Sequence, residues 1–485
     1  MPSNRVVKVR SAGDSVSAQE MRDGIARIQD ELAVSPEFAA DVEAASAAAV
    51  QTPRLPELDR TDIELVTIDP ESSRDLDQAL HIERDPKNPG GYVVHYAIAD
   101  VAAFVSAGDP VDVEANRRGE TLYGANSKIP LHPKVLSEGA ASLLPDQVCP
   151  ALLWTIRIDE TGEGIDVVVE RALVRSRAKL DYASVQADLD AGTADEMFTL
   201  LKEVGELRLA REAARGGVSL PLPEQEIVED DGTWHLEFRH LLPVEEWNAQ
   251  ISLLTGMAAA SLMVYARVGI LRTLPPADPR DIQRLHRTAR ALGVEWPAEQ
   301  LYPDFIRSLD ASLPHHAAMI VACTRLLRGS GYVTFNGELP EQAQHSALAS
   351  EYAHVTAPLR RLVDRYAGEV CVALCAGTEV PDWVLAAMPE LPDTMRESAR
   401  RANQYENAIV NLCEAELLSA RVGESFPGVV VDIDEKDKHR GDVTIQDPAI
   451  EATVTSEGDL PMGEHVTVEL VSADPTSRAV EFRLV

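Results

Sequence analysis

Aromatic side chains are scarce in this chain of 485 residues, at 5%, so any stacking surface must be built from few, placed rings. Cysteine is scarcer still. Cys149, Cys323, Cys371, Cys375 and Cys413 form no CxxC pair and no Cys/His group with zinc spacing. A disulfide scaffold and a zinc module are thereby excluded, and a reducing, cytoplasmic setting is expected. Cys371 and Cys375 lie four apart in a helical pattern and read as small buried hydrophobes. Positive charge is also short: 45 Lys and Arg stand against 79 Asp and Glu, a formal net charge of −34. That balance excludes a protein that coats nucleic acid with its whole surface, because phosphate binding needs a basic footprint. A local basic groove in an acidic shell stays open. The first ten residues carry no apolar run of the signal-peptide kind. Residues 247–266 carry no charge, but Asn248, Gln250, Ser252, Thr255, Gly256 and Ser261 interrupt them, so a buried core helix is expected and no membrane contact. No repeat of 20–50 residues is present.

What remains is an ordinary globular composition. Hydrophobic residues make up 45%, enough in a chain this long to bury a large core, and length suggests roughly three domains at ~150 residues each. Residues 1–56 read as a small helical module. Ser17 and Glu20 form a capping box before the stripe Met21, Ile25, Ile28 and Leu32, Ser35-Pro36 opens a second helix, and TPRLP at 52–56 is a linker. Residues 57–421 read as one large domain, with strand patterns LVTI, ALHI and VVHYAIADV near its start. Helical patterns follow at 195–215, 243–269, 279–292, 315–328, 356–376 and 394–421. Residues 422–485 hold five short strand patterns, GVVVDI, GDVTI, EATVTS, HVTVELV and AVEFRLV, which predict a closed barrel of OB type. The expected class is α+β: a mixed sheet and many helices between a helical front piece and a small barrel.

Two polar constellations stand out. TIDPESSRDLDQAL places Asp69, Asp75 and Asp77 within nine residues, between two strand patterns. Carboxylates this close repel unless a cation or proton intervenes, and hard oxygen ligands suit Mg²⁺ or Mn²⁺. The same segment also fits a solvated turn, since Asp69-Pro70 and Ser72-Ser73 are turn formers. The second is EYAHVTAPLRRLVDRYAGEV. Thr356 reads as a helix cap with Pro358 in the first turn, and Arg360, Arg361 and Arg365 crowd the helix start. Guanidinium forks match phosphate oxygens, but Arg360 and Asp364, four apart, equally fit a pair on one helix face.

Together these segments resemble the catalytic domain of the ribonuclease II family, the RNB domain. Thr67, Ile68, Asp69, Asp75, Asp77 and Ala79 fit one family pattern, and Thr356, Ala357, Pro358, Leu359, Arg360 and Arg361 fit another. YAIADVAAFV at 96–105, the segment at 117–133 and HLLPVEEW at 240–247 resemble further family stretches in the same order, and the terminal barrel resembles the family's S1 domain. The resemblance implies processive 3′-to-5′ hydrolysis of single-stranded RNA to nucleoside 5′-monophosphates, with Mg²⁺, or Mn²⁺ as the alternative. It implies that Asp69, Asp75 and Asp77 are active-site acids and metal ligands, and that Arg360, with Arg361 beside it, meets the scissile phosphate. It also implies that Tyr123 stacks the 3′-terminal base and that Glu406 is a downstream active-site acid. Tyr123 also fits an ordinary half-buried tyrosine, and Glu406 an exposed helix residue.

Three departures from the family accompany the resemblance. Gln78 stands where a fourth aspartate is usual; its amide oxygen can ligate a metal but brings no charge. Residues 1–60 leave no room for paired cold-shock barrels. The terminal barrel has 14 acids against 5 bases and, as aromatics, Phe426 and Phe482, which predicts a weak RNA grip. Alternative readings are a catalytically weak RNA-binding protein on the same fold and an unrelated metal phosphoesterase for small molecules.

Overall fold

The computed structural model describes residues 16–124, 128–220, 224–230, 233–239, 241–434, 436–447 and 449–485. The side chains of 16–19, 224–230 and 233–238 lie outside the description, and with them the Ser17 half of the expected capping box. Residues 125–127 and 240, from two of the family-like segments, lie outside it as well.

The front piece is two helices, α1 (Val16–Glu31) and α2 (Ala40–Gln51). Met21, Ile25 and Ile28 recur at helical spacing and are buried on one face of α1, as the stripe predicts. The second helix starts later than Ser35-Pro36. Arg118 explains the delay: its guanidinium donates to the carbonyls of Ser35 (3.0 Å) and Glu37 (2.7 Å) and sits 3.8 Å over the Phe38 ring. Those carbonyls are engaged outside any helix.

A closed five-stranded barrel follows. Its strands are β1 (Leu65–Ile68), β2 (Gln78–Arg84) and β3 (Tyr92–Ala99), then, after α3 (Pro110–Arg118) and the small hairpin β4 (Leu122–Tyr123) and β5 (Lys128–Ile129), β6 (Val148–Ile158) and β7 (Gly164–Leu180). The order is β1-β2-β3-β6-β7. Neighbours run antiparallel, except that β1 meets β7 in parallel and closes the ring. The strand patterns were legible in sequence; the closure was not, because β7 returns to β1 from far along the chain.

The helical region begins with α4 (Tyr182–Ala191) and α5 (Glu196–Ala214) and a hairpin, β8 (Glu224–Asp230) with β9 (Thr233–Arg239). Next come α6 (Pro243–Ala266), β10 (Val268–Thr273), α7 (Pro279–Ala291), α8 (Tyr302–Arg307), α9 (Pro314–Cys323), β11 (Gly331–Asn336), β12 (Gln344–His345) and β13 (Ser350–Glu351). It ends with α10 (Leu362–Ala376), α11 (Asp382–Ala387) and α12 (Leu391–Leu418). By length and composition α6 could cross a membrane. Here Ile251, Leu254 and Met263 of α6 share one buried cluster with Val363, Tyr366 and Val370 of α10 and with Tyr96, Trp154 and Ile156 of the barrel. The helix stops earlier than its apolar pattern, at Arg267, whose φ of 58° is left-handed, and β10 then pairs antiparallel with β11.

The chain ends in a second closed barrel of β14 (Ser425–Ile433), β15 (Arg440–Ile445), β16 (Ile450–Thr455), β17 (His465–Asp474) and β18 (Ala479–Leu484), in the order β14-β15-β16-β18-β17. This matches the five strand patterns. Phe426 and Phe482 meet edge to face, 5.8 Å apart, inside it; both are buried, so neither ring faces outward.

The two ends of the chain share a core. Ile25 and Ile28 of α1, Ile409 and Leu412 of α12, and Val468, Leu470 and Phe482 of the second barrel form one cluster. At Gly24 the helices approach so closely that a Cβ would lie 2.5 Å from the Leu412 side chain. The α+β expectation holds, and the front helix is part of this shared core. Ile28→Ala should therefore cost about 2–4 kcal/mol in urea unfolding, the scale for truncating a fully buried isoleucine. A change within about 0.5 kcal/mol, the scale of surface substitutions, would show that α1 is peripheral.

Candidate active site

The acidic loop, residues 69–77, connects β1 to β2 at one rim of the first barrel. Its ends continue the sheet: the Asp69 N–H donates to the Leu180 carbonyl, and the Ala99 N–H to that of Asp77. Leu76, fully buried, fixes the middle. Its N–H donates to Ser142 Oγ at 3.0 Å, and its carbonyl accepts from the Leu143 N–H. The alternation Asp-Leu-Asp thus pins the apolar residue inward, with a carboxylate on each side of it in the chain.

The arginine loop comes from the other end of the domain. Asp77 Oδ1 accepts the Leu359 N–H at 2.7 Å, and Asp364 Oδ1 accepts the Ala357 N–H at 2.7 Å. These N–H groups are the reason the helix does not begin at Thr356 as expected. They are held by carboxylates, Ala357 precedes a proline, which disfavours helical backbone, and α10 starts at Leu362. Thr356 Oγ1 lies 2.9 Å from Ser252 Oγ instead of capping a helix.

The three arginines have different employments. Arg361 clamps Asp364 with two bonds, at 2.8 and 2.7 Å, and its side chain is 20% exposed. It was expected to touch RNA; its fork is consumed in building the loop. Arg365 is buried on Asp112 at 2.7 Å. Arg360 does not pair with Asp364. Its Nε lies 3.7 Å from Asp77 Oδ2, and its side chain is 45% exposed, so it remains able to turn toward a bound phosphate.

Gln78 also departs from expectation. Its Oε1 accepts the Tyr96 hydroxyl at 2.6 Å and its Nε2 donates to the Thr356 carbonyl at 2.6 Å. Both ends of the amide are spent bracing the barrel against the arginine loop, so it is not placed as a metal ligand. Tyr123 is half-buried on β4, with its ring hydroxyl in the field of Arg360, Lys128, Asp75 and Asp77. It lies directly across the hairpin from Lys128. Lys128 was not singled out in sequence. Its Nζ stands 2.7 Å from Asp75 Oδ1 and 2.9 Å from Glu138 Oε1. A cation one hairpin pair from the key tyrosine was the available signal.

Among the described residues Glu406 makes no hydrogen bond or ion pair with this group. Burial first, and then the charge of Glu120, push its carboxyl up to about 7; no aspartate of the acidic loop acts on it. Ser398, on the same helix, contacts Glu120 Oε1.

Electrostatics separates the acids further. Burial raises Asp69 to about 6, opposed by Arg360 and Lys179 and reinforced by Asp75. Burial raises Asp77 to about 8; Arg360 and the Leu359 N–H oppose the shift, and Asp75 and Asp364 add to it. Among the described residues the Asp69 carboxylate has no hydrogen-bond or ion-pair partner, and no three His, Cys, Asp or Glu side chains form a ready ligand set. Asp77 is buried and Asp69 half-buried, and under-compensated carboxylates suit a divalent cation, since Mg²⁺ commonly takes one or two carboxylates and fills its shell with water and phosphate.

The fold and this site define a class. Residues 58–373 match the RNB domain and residues 424–485 the RNase II-type exonuclease C-terminal S1 domain. The chain belongs to the RNB family. Among curated relatives it is 25% identical to Ribonuclease R of Aquifex aeolicus (strain VF5) over 457 residues, covering 86% of this chain and 63% of that one. It is 27% identical to Ribonuclease R of Escherichia coli (strain K12) over 399 residues, covering 77% and 48%. The chain thus spans about half to three fifths of the length of these relatives. Among solved structures it resembles Mycoplasma genitalium RNase R in complex with ribose-methylated single-stranded RNA, with a TM-score of 0.85 at 19% identity, covering 96% of this chain and 78% of that one.

Two outcomes follow from the geometry. Burial raises the Asp77 carboxyl to about 8, so a divalent ion that binds it near neutral pH competes with a proton. Mn²⁺ affinity should rise as pH climbs through about 6 and about 8, by up to ~10-fold per pH unit for each proton displaced, and level off above. Direct titration between those limits checks it; a flat profile would show that both carboxylates are already ionised. Second, Gln78→Asp removes the donor to the Thr356 carbonyl and shortens the side chain. It should cost about 1–3 kcal/mol in denaturant unfolding, the scale for orphaning a buried acceptor.

Proposed function

We propose that this chain is a 3′-to-5′ exoribonuclease that hydrolyses single-stranded RNA to nucleoside 5′-monophosphates in the cytoplasm, using Mg²⁺ or Mn²⁺. The observation that carries the reading is that the acidic loop and the arginine loop, far apart in the chain, meet where Asp77 accepts the Leu359 N–H at 2.7 Å and Arg360 lies 3.7 Å from it. Family membership and the likeness to a ribonuclease R bound to single-stranded RNA support it.

Each side chain has a task that its environment suits. Asp69 and Asp77 would hold the divalent ion, and burial makes their demand for positive charge large. When bound, the ion supplies an activated water and neutralises charge on the scissile phosphate. Arg360 is anchored at its backbone, while its guanidinium is free to meet charge developing on the phosphate oxygens. Tyr123 offers a ring on which any terminal base can stack, which accounts for sequence tolerance. Backbone and stacking contacts carry no sequence information, as a trimming enzyme requires.

The committed amide of Gln78 and the ion-paired Asp75 favour a second reading, a catalytically weak RNA-binding protein on the same fold. Incubation of the full chain with end-labelled poly(A) and Mg²⁺, with chelator as control, separates the two. The nuclease releases 5′-mononucleotides. Asp77→Asn should abolish release while RNA binding survives, and Arg360→Ala should lower kcat by ~10²-fold, the scale for losing one transition-state donor. No mononucleotides under any divalent ion would move the assignment to the second reading.

A further inference from the structure

We propose that the outward face of α7 is a binding track for the phosphate backbone of single-stranded RNA, made by Arg280, Arg284, Arg287 and Arg290. The identity of the polyanion rests on the reading of the chain as a ribonuclease. The track goes beyond that reading, because it assigns a second place of contact outside the acidic and arginine loops.

Residues 267–330 carry nine arginines against six acids, in a chain of net charge −34. Four of the nine lie on α7, which holds one acid, Asp281. Asp278 caps the helix by accepting the Arg280 N–H at 2.8 Å, and Pro279 stands in the first turn. Leu285, Ala289 and Leu292 are buried in one cluster with Phe305 and Met319 and with Val431 of the terminal barrel. At about 100° per residue, the four arginines fall in a stripe about 120° wide on the opposite side. Arg280, Arg287 and Arg290 are exposed, and among the described residues their side chains make no hydrogen bond or ion pair. Arg284 faces Asp281 at 3.8 Å.

This spacing works against the helix itself. Arg280 and Arg284, Arg284 and Arg287, and Arg287 and Arg290 are three or four apart, and like charges at that spacing destabilise a helix. The packed side holds the helix in place, and the exposed side lacks the anions that would balance it. A phosphate backbone supplies them in a row, and each guanidinium fork matches phosphate oxygens. The track runs ~15 Å from Arg280 to Arg290. A ring pair borders it. His286, four residues before Arg290, stacks on Trp296 with centroids 3.8 Å apart, and Trp296 stacks on buried Phe305 at 3.9 Å. His286 and Trp296 are half-buried, and cations beside partly open rings suit a single strand. A lipid surface would call for apolar side chains outward beside the arginines, whereas α7 turns its own inward. The helix is rooted near the arginine loop. The Arg272 N–H of β10 donates to the Tyr352 carbonyl, eight residues before Arg360, and α7 starts six residues after β10 ends. A strand whose end lies at the barrel rim is thereby offered a second contact that carries no sequence information.

The test reads salt dependence. Binding of fluorescein-labelled oligo(A) of about thirty nucleotides to the full chain is followed by anisotropy, in chelator, from about 50 to about 300 mM KCl. For single strands, log affinity falls against log salt with a slope of about 0.7 per neutralised phosphate. Arg280→Gln, Arg287→Gln and Arg290→Gln together should lower that slope by about 2, and the affinity at about 0.1 M salt by at least ~10-fold. Lysine at the same three positions should keep the slope, because the charge is retained. Arg287→Gln alone should lower the slope by about 0.7; it relieves two like-charge contacts, and it carries the test should the triple variant fail to fold. An unchanged slope in either folded glutamine variant would overturn the proposal. So would a triple variant that loses binding to phosphatidylglycerol vesicles and not to oligo(A), which would give the face to lipid. Binding in chelator needs no turnover. A lowered slope in a chain that releases no mononucleotides would support this inference while overturning the nuclease reading.

Discussion

One hydrogen bond organises the site: the Asp77 carboxylate accepting the Leu359 N–H from a loop 282 residues along the chain. It joins the start of β2 to the segment that carries Arg360, and so couples the barrel to the helical half of the domain. The bond is made in a buried place, where an ionised carboxylate is costly unless it is fully compensated. Here compensation stops short. One N–H and a guanidinium at 3.7 Å leave the Asp77 carboxyl raised to about 8. Fold and chemistry meet in that deficit: packing brings the carboxylate in, and the charge it still lacks is what a divalent ion can bring.

Asp364 shows that the deficit is a local choice. It sits in the same loop network, yet it receives two bonds from Arg361 and one from the Ala357 N–H. Two neighbouring arginines therefore do opposite things. Arg361 closes a structural ion pair that shapes the loop, and Arg360, half exposed, stays available. Arginine suits both tasks, because its rigid fork either saturates a carboxylate or presents several donors to a phosphate. A lysine in place of Arg361 would lose the bidentate fit and with it the loop's shape.

Much of this was legible from local patterns. The acidic segment, the TAPLRR segment, the five terminal strands and the apolar α6 each carry their information within a short window. What stayed hidden depends on partners far away. The start of α10 moved from Thr356 to Leu362 because distant and local carboxylates hold the loop's N–H groups, a contest that helix-capping patterns do not register. β10 and β11 were hidden inside a helical stretch because each is short and finds the other across an insertion of helices. Gln78 read as a weakened metal ligand; only the Tyr96 hydroxyl and the Thr356 carbonyl on its two ends reveal a brace. Glu406 was carried by resemblance alone.

The acidic chain then poses a problem for the proposed function: a polyanion would have to reach a protein of net charge −34. Repulsion between exposed charges is largely screened beyond a Debye length, ~8 Å at physiological ionic strength. Attraction must accordingly be short-ranged and concentrated. The terminal barrel contributes little to it, with its two rings turned inward and acids outnumbering bases on its strands and loops. The rim of the first barrel is different. Arg360, Lys128, Asp75 and Asp77 all act on Tyr123, and because Lys128 is held between Asp75 and Glu138, Arg360 is the cation there with its side chain half exposed. A strand end would be gripped where its terminal base and phosphate arrive together. Under the proposed function, an RNA end would be favoured over an internal stretch by where so few positive charges and rings have been placed.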